Sequence, residues 1–194
     1  MRRRIIITGL ERSGTSCVAR VLDCLGVPIE SPGECHAEVK LNPTGYYEDP
    51  KVNQMLENRA WGQLHNYVQQ RRDYPLWGLK DPRLSVSFVM DRFLECFPED
   101  ECVTILVVRR DSKEIHQSWA RCGMRRPLSE VEERQNDLQY LVVKYRRTIV
   151  VPYSAFILNT ESTVRRIAED LGLYTSPTQL ARAIQSVEPK LKHF

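Results

Sequence analysis

The segment GLERSGTS, residues 9–16, combines residue types that bind anions at helix ends. It follows the β-branched run III at residues 5–7, which favours a buried strand, and precedes apolar residues at helical spacing. Its two glycines permit tight turns, so the backbone amides of residues 13–16 would point outward from a helix N-terminus, where free N–H groups attract an anion. The residues predicted to form this anion site are Arg12, Ser13, Gly14, Thr15 and Ser16.

This segment departs from the Walker pattern G-x-x-x-x-G-K-[ST], because Thr15 stands where the pattern has lysine. Enzymes that use nucleoside triphosphates need that lysine on the β- and γ-phosphates. A cation earlier in the loop, at Arg12, instead suits a donor with a 5′-phosphate and a leaving sulfuryl or phosphoryl group. The alternative is a plain strand–turn–helix junction whose serine and threonine cap the helix.

A second cationic segment, TILVVRRDSKEIHQSWARCG, begins as an apolar strand and ends it at Arg109 and Arg110. Ser118 lies on the helix that follows, far enough along to face the same crevice. We therefore predict that Arg109 and Ser118 hold a second phosphate, one by charge and one through its hydroxyl. The two anion sites would then lie at neighbouring strand ends.

A third segment, WGLKDPRL at residues 77–84, presents Lys80 at the end of a short strand. A lysine in that place can donate to a transferring group or to a leaving oxygen. Asp81 and Arg83 are better explained as an ion pair that steadies the turn fixed by Pro82.

Strands and helices alternate along the chain, which predicts one α/β domain over residues 1–194. It is a three-layer α/β/α arrangement with a central parallel sheet, a P-loop-like phosphate-binding loop, and the ligand at the strand carboxyl ends. The predicted strands cover 3–8, 76–80, 102–108 and 148–153, and the predicted helices cover 14–25, 51–71, 84–96, 111–121, 129–146, 160–171 and 177–187.

Composition narrows the class of protein. The net charge of +3 indicates neither a nucleic-acid partner nor a membrane-surface one. No apolar run approaches the roughly 18 residues of a membrane span, and the basic start lacks a secretory apolar region, so we expect a cytoplasmic protein. The six cysteines show no C-x-x-C or metal-ligand spacing, so we expect reduced, structural thiols and no metal site.

With GYYED at 45–49 and VPYSAF at 151–156, these segments resemble the sulfotransferase family that uses 3′-phosphoadenosine 5′-phosphosulfate (PAPS), particularly its bacterial-type members, over most of the chain. In that family R-S-G-T-[ST] cradles the 5′-phosphosulfate, and residues 12–16 stand at those places. Arg109 and Ser118, nine residues apart, stand where the family binds the 3′-phosphate. Tyr153 resembles the tyrosine of the family's Y-E-D-L element, near the nucleotide.

The resemblance implies in-line transfer of a sulfuryl group from PAPS, as co-substrate and without metal, to a hydroxyl or amine of a small-molecule or carbohydrate acceptor. Arg12 and Lys80 would stabilise the charge that develops on the leaving phosphate. Candidates for the base that takes the acceptor proton are Glu48 first, then Glu34 and His36, and Asp81 last.

This sequence also departs from the family pattern. It has Glu-Arg where many relatives have Pro-Lys, and it lacks an R-K-G element near the C-terminus. Two alternatives therefore stay open: a P-loop kinase-like phosphotransferase, and a non-catalytic nucleotide-binding module.

Overall fold

The computed structural model of the protein describes residues 2–29, 46–98 and 101–187. Within these residues four strands form one sheet: β1 (Arg3–Thr8), β2 (Leu76–Lys80), β3 (Cys102–Arg109) and β4 (Thr148–Pro152). Their order is β2-β1-β3-β4, and every neighbouring pair is parallel. The predicted parallel sheet is confirmed, and each predicted strand end lies within one residue of the observed one.

Nine helices accompany the sheet in the described part of the chain. They are α1 (Thr15–Cys24), α2 (Pro50–Glu57), α3 (Trp61–Gln69), α4 (Ser87–Leu94), α5 (Ser112–Arg121), α6 (Leu128–Lys144), α7 (Tyr153–Leu158), α8 (Thr160–Asp170) and α9 (Pro177–Ser186). A short 3-10 turn, Pro82–Ser85, joins β2 to α4.

Alternating side chains divide the core into two layers, one on each face of the sheet. Leu106 and Val108 of β3 pack with α1, α7, α8 and α9, whereas Ile105 and Val107 pack with α2 to α6. Since successive residues of a strand point to opposite faces, continuous apolar strands are what a sheet covered on both sides requires. The predicted three-layer α/β/α architecture is confirmed.

Three local features differ from the sequence prediction. The single helix predicted over 51–71 is two helices, α2 and α3, because Arg59 between them adopts a left-handed backbone with φ of 52°. The helix predicted from residue 84 starts only at Ser87, after the 3-10 turn that Asp81 caps by accepting a hydrogen bond from the Arg83 amide. Tyr153 begins helix α7 and does not end a strand.

The strand order places a crevice between the loops that follow β1 and β3. These central strands are neighbours, but the helices that follow them, α1 and α5, cover opposite faces of the sheet. Such a reversal opens a crevice at the strand carboxyl ends, where open α/β sheets bind ligands. The three segments singled out in the sequence all meet at this edge.

Candidate functional site

A cavity of about 430 Å³ lies at the carboxyl edge of the sheet. The loop after β1, the end of β2, the segment before α2, the β3–α5 region and the start of α7 all contribute to its walls. Among the predicted site residues, those that line it are Arg12, Gly14, Thr15, Ser16, Glu48, Lys80, Ser118 and Tyr153. The structure thus brings together residues more than 100 positions apart in the chain.

Two glycines shape the loop between β1 and α1 because no other residue fits there. A Cβ on Gly9 would lie 2.5 Å from the Val108 carbonyl oxygen, and one on Gly14 would lie 2.2 Å from the Tyr153 ring. Gly14 also has φ of 102°, which side chains rarely tolerate. The loop backbone therefore runs against β3 and against Tyr153.

The N-terminus of α1 opens onto the cavity with free backbone amides. No side chain caps this helix, and no acceptor within the described residues pairs with the amides of Gly14, Thr15 or Ser16. The amide of Ser13, in contrast, donates to the Leu10 carbonyl at 3.0 Å, and its buried hydroxyl finds no partner among the described residues. Of the four amides predicted to face an anion, three remain available to one.

Arg12 lies in the loop between β1 and α1, called here the first loop, and its side chain extends to helix α5. Its Nε donates to the Ser118 hydroxyl at 3.0 Å, so the two predicted anion-binding side chains meet directly. Its backbone is left-handed, with φ of 70°, and its carbonyl oxygen accepts a hydrogen bond from Arg110 Nη1 at 3.1 Å. A non-glycine residue held in this conformation costs on the order of 1 kcal/mol and indicates a loop constrained by its surroundings.

Arg110, and not Arg109, reaches the cavity. Arg109 is not among the residues that line it; its Nη1 donates to Gln139 of α6 at 2.9 Å. Side-chain alternation explains the difference, since Arg109 follows Val107 toward the α6 face, whereas Arg110 turns toward the first loop. Sequence analysis gave Arg109 the place beside Ser118; counting the strand alternation through residue 109 would have favoured its neighbour.

Tyr153 packs between Arg110 and the first loop. The Arg110 guanidinium lies 4.9 Å from the centre of its ring. Burial raises the pKa of Tyr153 to about 12, so its hydroxyl is neutral at physiological pH.

Lys80 brings a nearly buried cation to the cavity wall. Its residue is 2% exposed, and its Nζ donates to Glu48 Oε1 at 2.5 Å. Among the described residues Glu48 is the partner of this ammonium, which carries three donor hydrogens. Donor capacity therefore remains at this position.

The second oxygen of Glu48 is held from the other side. Oε2 accepts from Asn53 Nδ2 at 3.3 Å and lies 3.5 Å from Arg83 Nη1. Arg83 also pairs with Asp81 and with Glu57, at 3.4 Å and 2.6 Å. The predicted Asp81–Arg83 pair is therefore present as part of a larger cluster.

Asp81 is buried just behind the cavity wall. Burial, opposed by the nearby Arg83, raises the pKa of its carboxyl group to about 6. Its Oδ1 caps the 3-10 turn, while its Oδ2 has no hydrogen-bond partner in the described part of the chain. The other two base candidates, Glu34 and His36, lie outside the described residues.

Among the described residues, neither the cysteines, nor the possible metal ligands, nor the helices indicate a further functional site. Burial raises the pKa of Cys17, at the cavity wall, to about 11, so its thiol is protonated and unreactive. No group of three His, Cys, Asp or Glu side chains there could hold a metal ion. None of the helices described is both long and apolar enough to cross a bilayer.

Solved structures with the same fold include sulfotransferases. The sulfotransferase domain of the Synechococcus PCC 7002 olefin synthase is 15% identical, with a TM-score of 0.64 over 98% of this chain and 86% of that one. Retinol dehydratase, solved with androsterone and the inactive cofactor PAP, is 12% identical, with a TM-score of 0.52 over 95% of this chain and 64% of that one. A sugar kinase from Janibacter sp. HTCC2649 is 16% identical, with a TM-score of 0.54 over 89% and 96%.

No protein-family model matches the sequence, and no curated protein sequence matches it. The structural likeness therefore speaks to architecture. The chain has the fold of the sulfotransferases, as the sequence motifs predicted, and a sugar kinase shares that fold.

Proposed function

We propose that the protein is a sulfotransferase that moves a sulfuryl group from PAPS to a hydroxyl or amine of a small-molecule or carbohydrate acceptor. The observation that carries this proposal is the convergence of Arg12, Lys80 and Arg110 with the free amides of α1 on one cavity. A donor with negative charge at both ends of its adenosine needs such a distribution of cations and amides.

The 5′ end of the donor would lie on the first loop. Its phosphate can accept from the amides of Gly14, Thr15 and Ser16, where the helix dipole adds to the attraction. Arg12 extends along the same wall. Its guanidinium supplies a charged donor toward the bond that breaks.

The 3′-phosphate would lie between the first loop and α5. We assign it to Arg110 and Ser118, giving to Arg110 the role that sequence analysis gave to Arg109. The Ser118 hydroxyl accepts a hydrogen bond from Arg12, so the two ends of the donor would be bound by side chains that contact each other. Tyr153, packed against Gly14 and Arg110, would border the nucleotide.

Transfer is an in-line displacement at sulfur. The acceptor oxygen or nitrogen forms a bond to sulfur while the bond between sulfur and the bridging oxygen breaks, and its electron pair leaves on the phosphate of 3′,5′-adenosine bisphosphate (PAP). Fixed cations at the bridging oxygen lower the barrier because charge accumulates there as the bond loosens. Arg12 is the residue that we propose for this role, and we propose that Lys80 donates to the oxygens of the transferring sulfuryl group.

Glu48 is the base that we propose for the acceptor proton. It lines the cavity beside Lys80, and its side chain is 19% exposed, so an acceptor can reach it. Asp81 has the raised pKa expected of a base but does not line the cavity, which makes it the weaker candidate among described residues.

The competing enzyme class is a kinase, favoured by the shared fold of the sugar kinase. The loop argues against it because Thr15 stands where a Walker lysine would hold the β- and γ-phosphates. A protein that binds the nucleotide without catalysing transfer would need the same cavity. We further propose a cytoplasmic location, no metal requirement, and no nucleic-acid or membrane partner.

Incubation with PAPS and a panel of phenols, alcohols, amines and sugars tests the proposal. We expect release of PAP that depends on one class of acceptor, with no magnesium requirement. ATP with magnesium is the matched control for the kinase, and transfer from ATP would replace the proposal. Tight PAP binding without transfer to any acceptor would favour the binding module.

A further inference from the structure

Lys80 and Glu48 form an ion pair, although the proposed reaction needs each of them for a different partner. Lys80 is to stabilise the sulfuryl group and Glu48 is to take a proton, yet in this structure they neutralise each other at 2.5 Å. A carboxylate on the Lys80 ammonium competes with the sulfuryl oxygens for the same cation.

The two oxygens of Glu48 are held unequally. Oε1 faces Lys80, whose side chain is 2% exposed, while Oε2 faces Asn53 and Arg83 outside the cavity wall. The Oε2 contacts belong to α2 and to the turn after β2, which are fixed by packing. Loss of the Lys80 contact would therefore leave the carboxylate anchored through Oε2.

We propose that Glu48 is an internal anion that guards Lys80 until the sulfuryl group of the donor displaces it. Displacement transfers Lys80 to the donor and leaves Oε1 free to accept the acceptor proton, so this oxygen is released only when there is a group to transfer. Arg83 is a positioning residue that holds Oε2 throughout. This inference rests on the proposed sulfotransferase function.

The consequence is a measurable competition. PAPS must break the Lys80–Glu48 contact, whereas PAP, which lacks the sulfuryl group, leaves it in place. PAPS binding has to overcome the free energy of this partly buried ion pair. Removing the pair should therefore raise the affinity for PAPS about fivefold relative to the affinity for PAP. Glu48→Gln weakens the opposing contact, because its amide oxygen can still accept from Lys80 but carries no charge.

Titration calorimetry with PAPS and with PAP, on the full chain, tests the competition. We expect Glu48→Gln to raise the ratio of PAPS to PAP affinity about fivefold. The matched control is Glu57→Gln, which removes an equal charge from the same Arg83 at 2.6 Å but lies outside the cavity, and should leave the ratio unchanged. If Glu48→Gln does not fold, Glu48→Asp shortens the side chain by one methylene group and should raise the ratio in the same direction.

The outcomes separate the two proposals. Equal ratios in wild type and both Glu48 variants, or an equal rise in Glu57→Gln, overturn the guarding role while PAPS turnover keeps the sulfotransferase assignment. Failure of wild type to bind either ligand overturns both. For the positioning role, Arg83→Gln should shift the pH profile of turnover, whereas Arg83→Lys should restore it; a lowered turnover with an unchanged profile assigns Arg83 to folding alone.

Discussion

The sheet has a buried cation near each end of its strands, and the two cations are paired to different degrees. Near the amino ends Arg4 is fully buried and makes a bidentate pair with Glu101, while the backbone oxygens of Arg3, Arg72 and Tyr74 take its remaining hydrogens. Near the carboxyl ends Lys80 is almost as buried but has Glu48 as its described partner. Complete satisfaction fits a structural role, and spare donor capacity beside a cavity fits a ligand role.

The largest effect should follow from breaking the structural pair. Arg4→Met leaves the Glu101 carboxylate buried without a partner, which should lower the free energy of unfolding by about 3–5 kcal/mol. Urea unfolding followed by circular dichroism measures this loss. The double variant Arg4→Met/Glu101→Leu should recover most of it, and a double variant as unstable as the single one would show that the pair is not the source.

Lys80→Met should produce the reverse pattern, with a large loss of function and little loss of stability. We expect turnover to fall about a hundredfold, because one fixed donor to the transferring sulfuryl group is lost. The free energy of unfolding should change by at most about 1 kcal/mol, since Glu48 keeps Arg83 and partial solvent contact. An equal loss of stability in Lys80→Met and Arg4→Met would remove the distinction between the two ends of the sheet.

The buried acid next to Lys80, Asp81, should make the stability of the fold depend on pH. Arg4 pairs with both oxygens of Glu101, whereas Asp81 Oδ2 has no hydrogen-bond partner among the described residues. Burial raises the folded-state pKa of Asp81 from 3.8 to about 6, so the folded protein binds more protons than the unfolded one between these values. This contribution to stability is complete below about pH 4 and is lost as the pH rises through about 6.

Asp81→Asn removes that titration. Its unfolding free energy relative to wild type should shift in the variant's favour by about 2 kcal/mol between about pH 4 and pH 7. Chemical unfolding across this range measures the shift. Parallel pH profiles of Asp81→Asn and wild type would mean that Asp81 is not buried as an acid.

A smaller effect should separate the two adjacent arginines. Arg110→Gln should weaken PAP binding about tenfold, and should weaken binding of adenosine 5′-phosphate much less, because the lost contact is to the 3′-phosphate. Arg109→Gln, at the residue bonded to Gln139, is the matched control and should change neither. Calorimetry with both ligands reports the difference, and a greater loss in Arg109→Gln would return the role to that residue.

The sequence predicted the elements well where patterns were simple. Runs rich in β-branched residues identified β1, β3 and β4, because a strand buried on both faces needs apolar residues at nearly every position. Strand β2, LWGLK, was predicted without any β-branched residue, as a short strand that ends at Lys80. The break between α2 and α3 was missed since Val52, Met55, Leu64 and Val68 keep helical spacing on both sides of it. The break lies at Arg59, whose backbone is left-handed. Because this position is neither glycine nor proline, the sequence does not mark the break.

The candidate site was predictable to the level of its loops. Glycine spacing and strand ends indicated the residues after β1 and β2, which do line the cavity. Pairwise contacts were not predictable, because the meeting of Glu48 with Lys80 and of Arg12 with Ser118 depends on how α2 and α5 pack. The position of Arg110 could have been predicted from the alternation of side chains along β3.

Titration of the wild-type protein with PAP, and with ATP and magnesium, tests the central claim most directly. Cations at both walls of one cavity predict that PAP binds at one site per chain and more tightly than ATP. Tighter binding of ATP with magnesium, or no binding of PAP, would contradict the account.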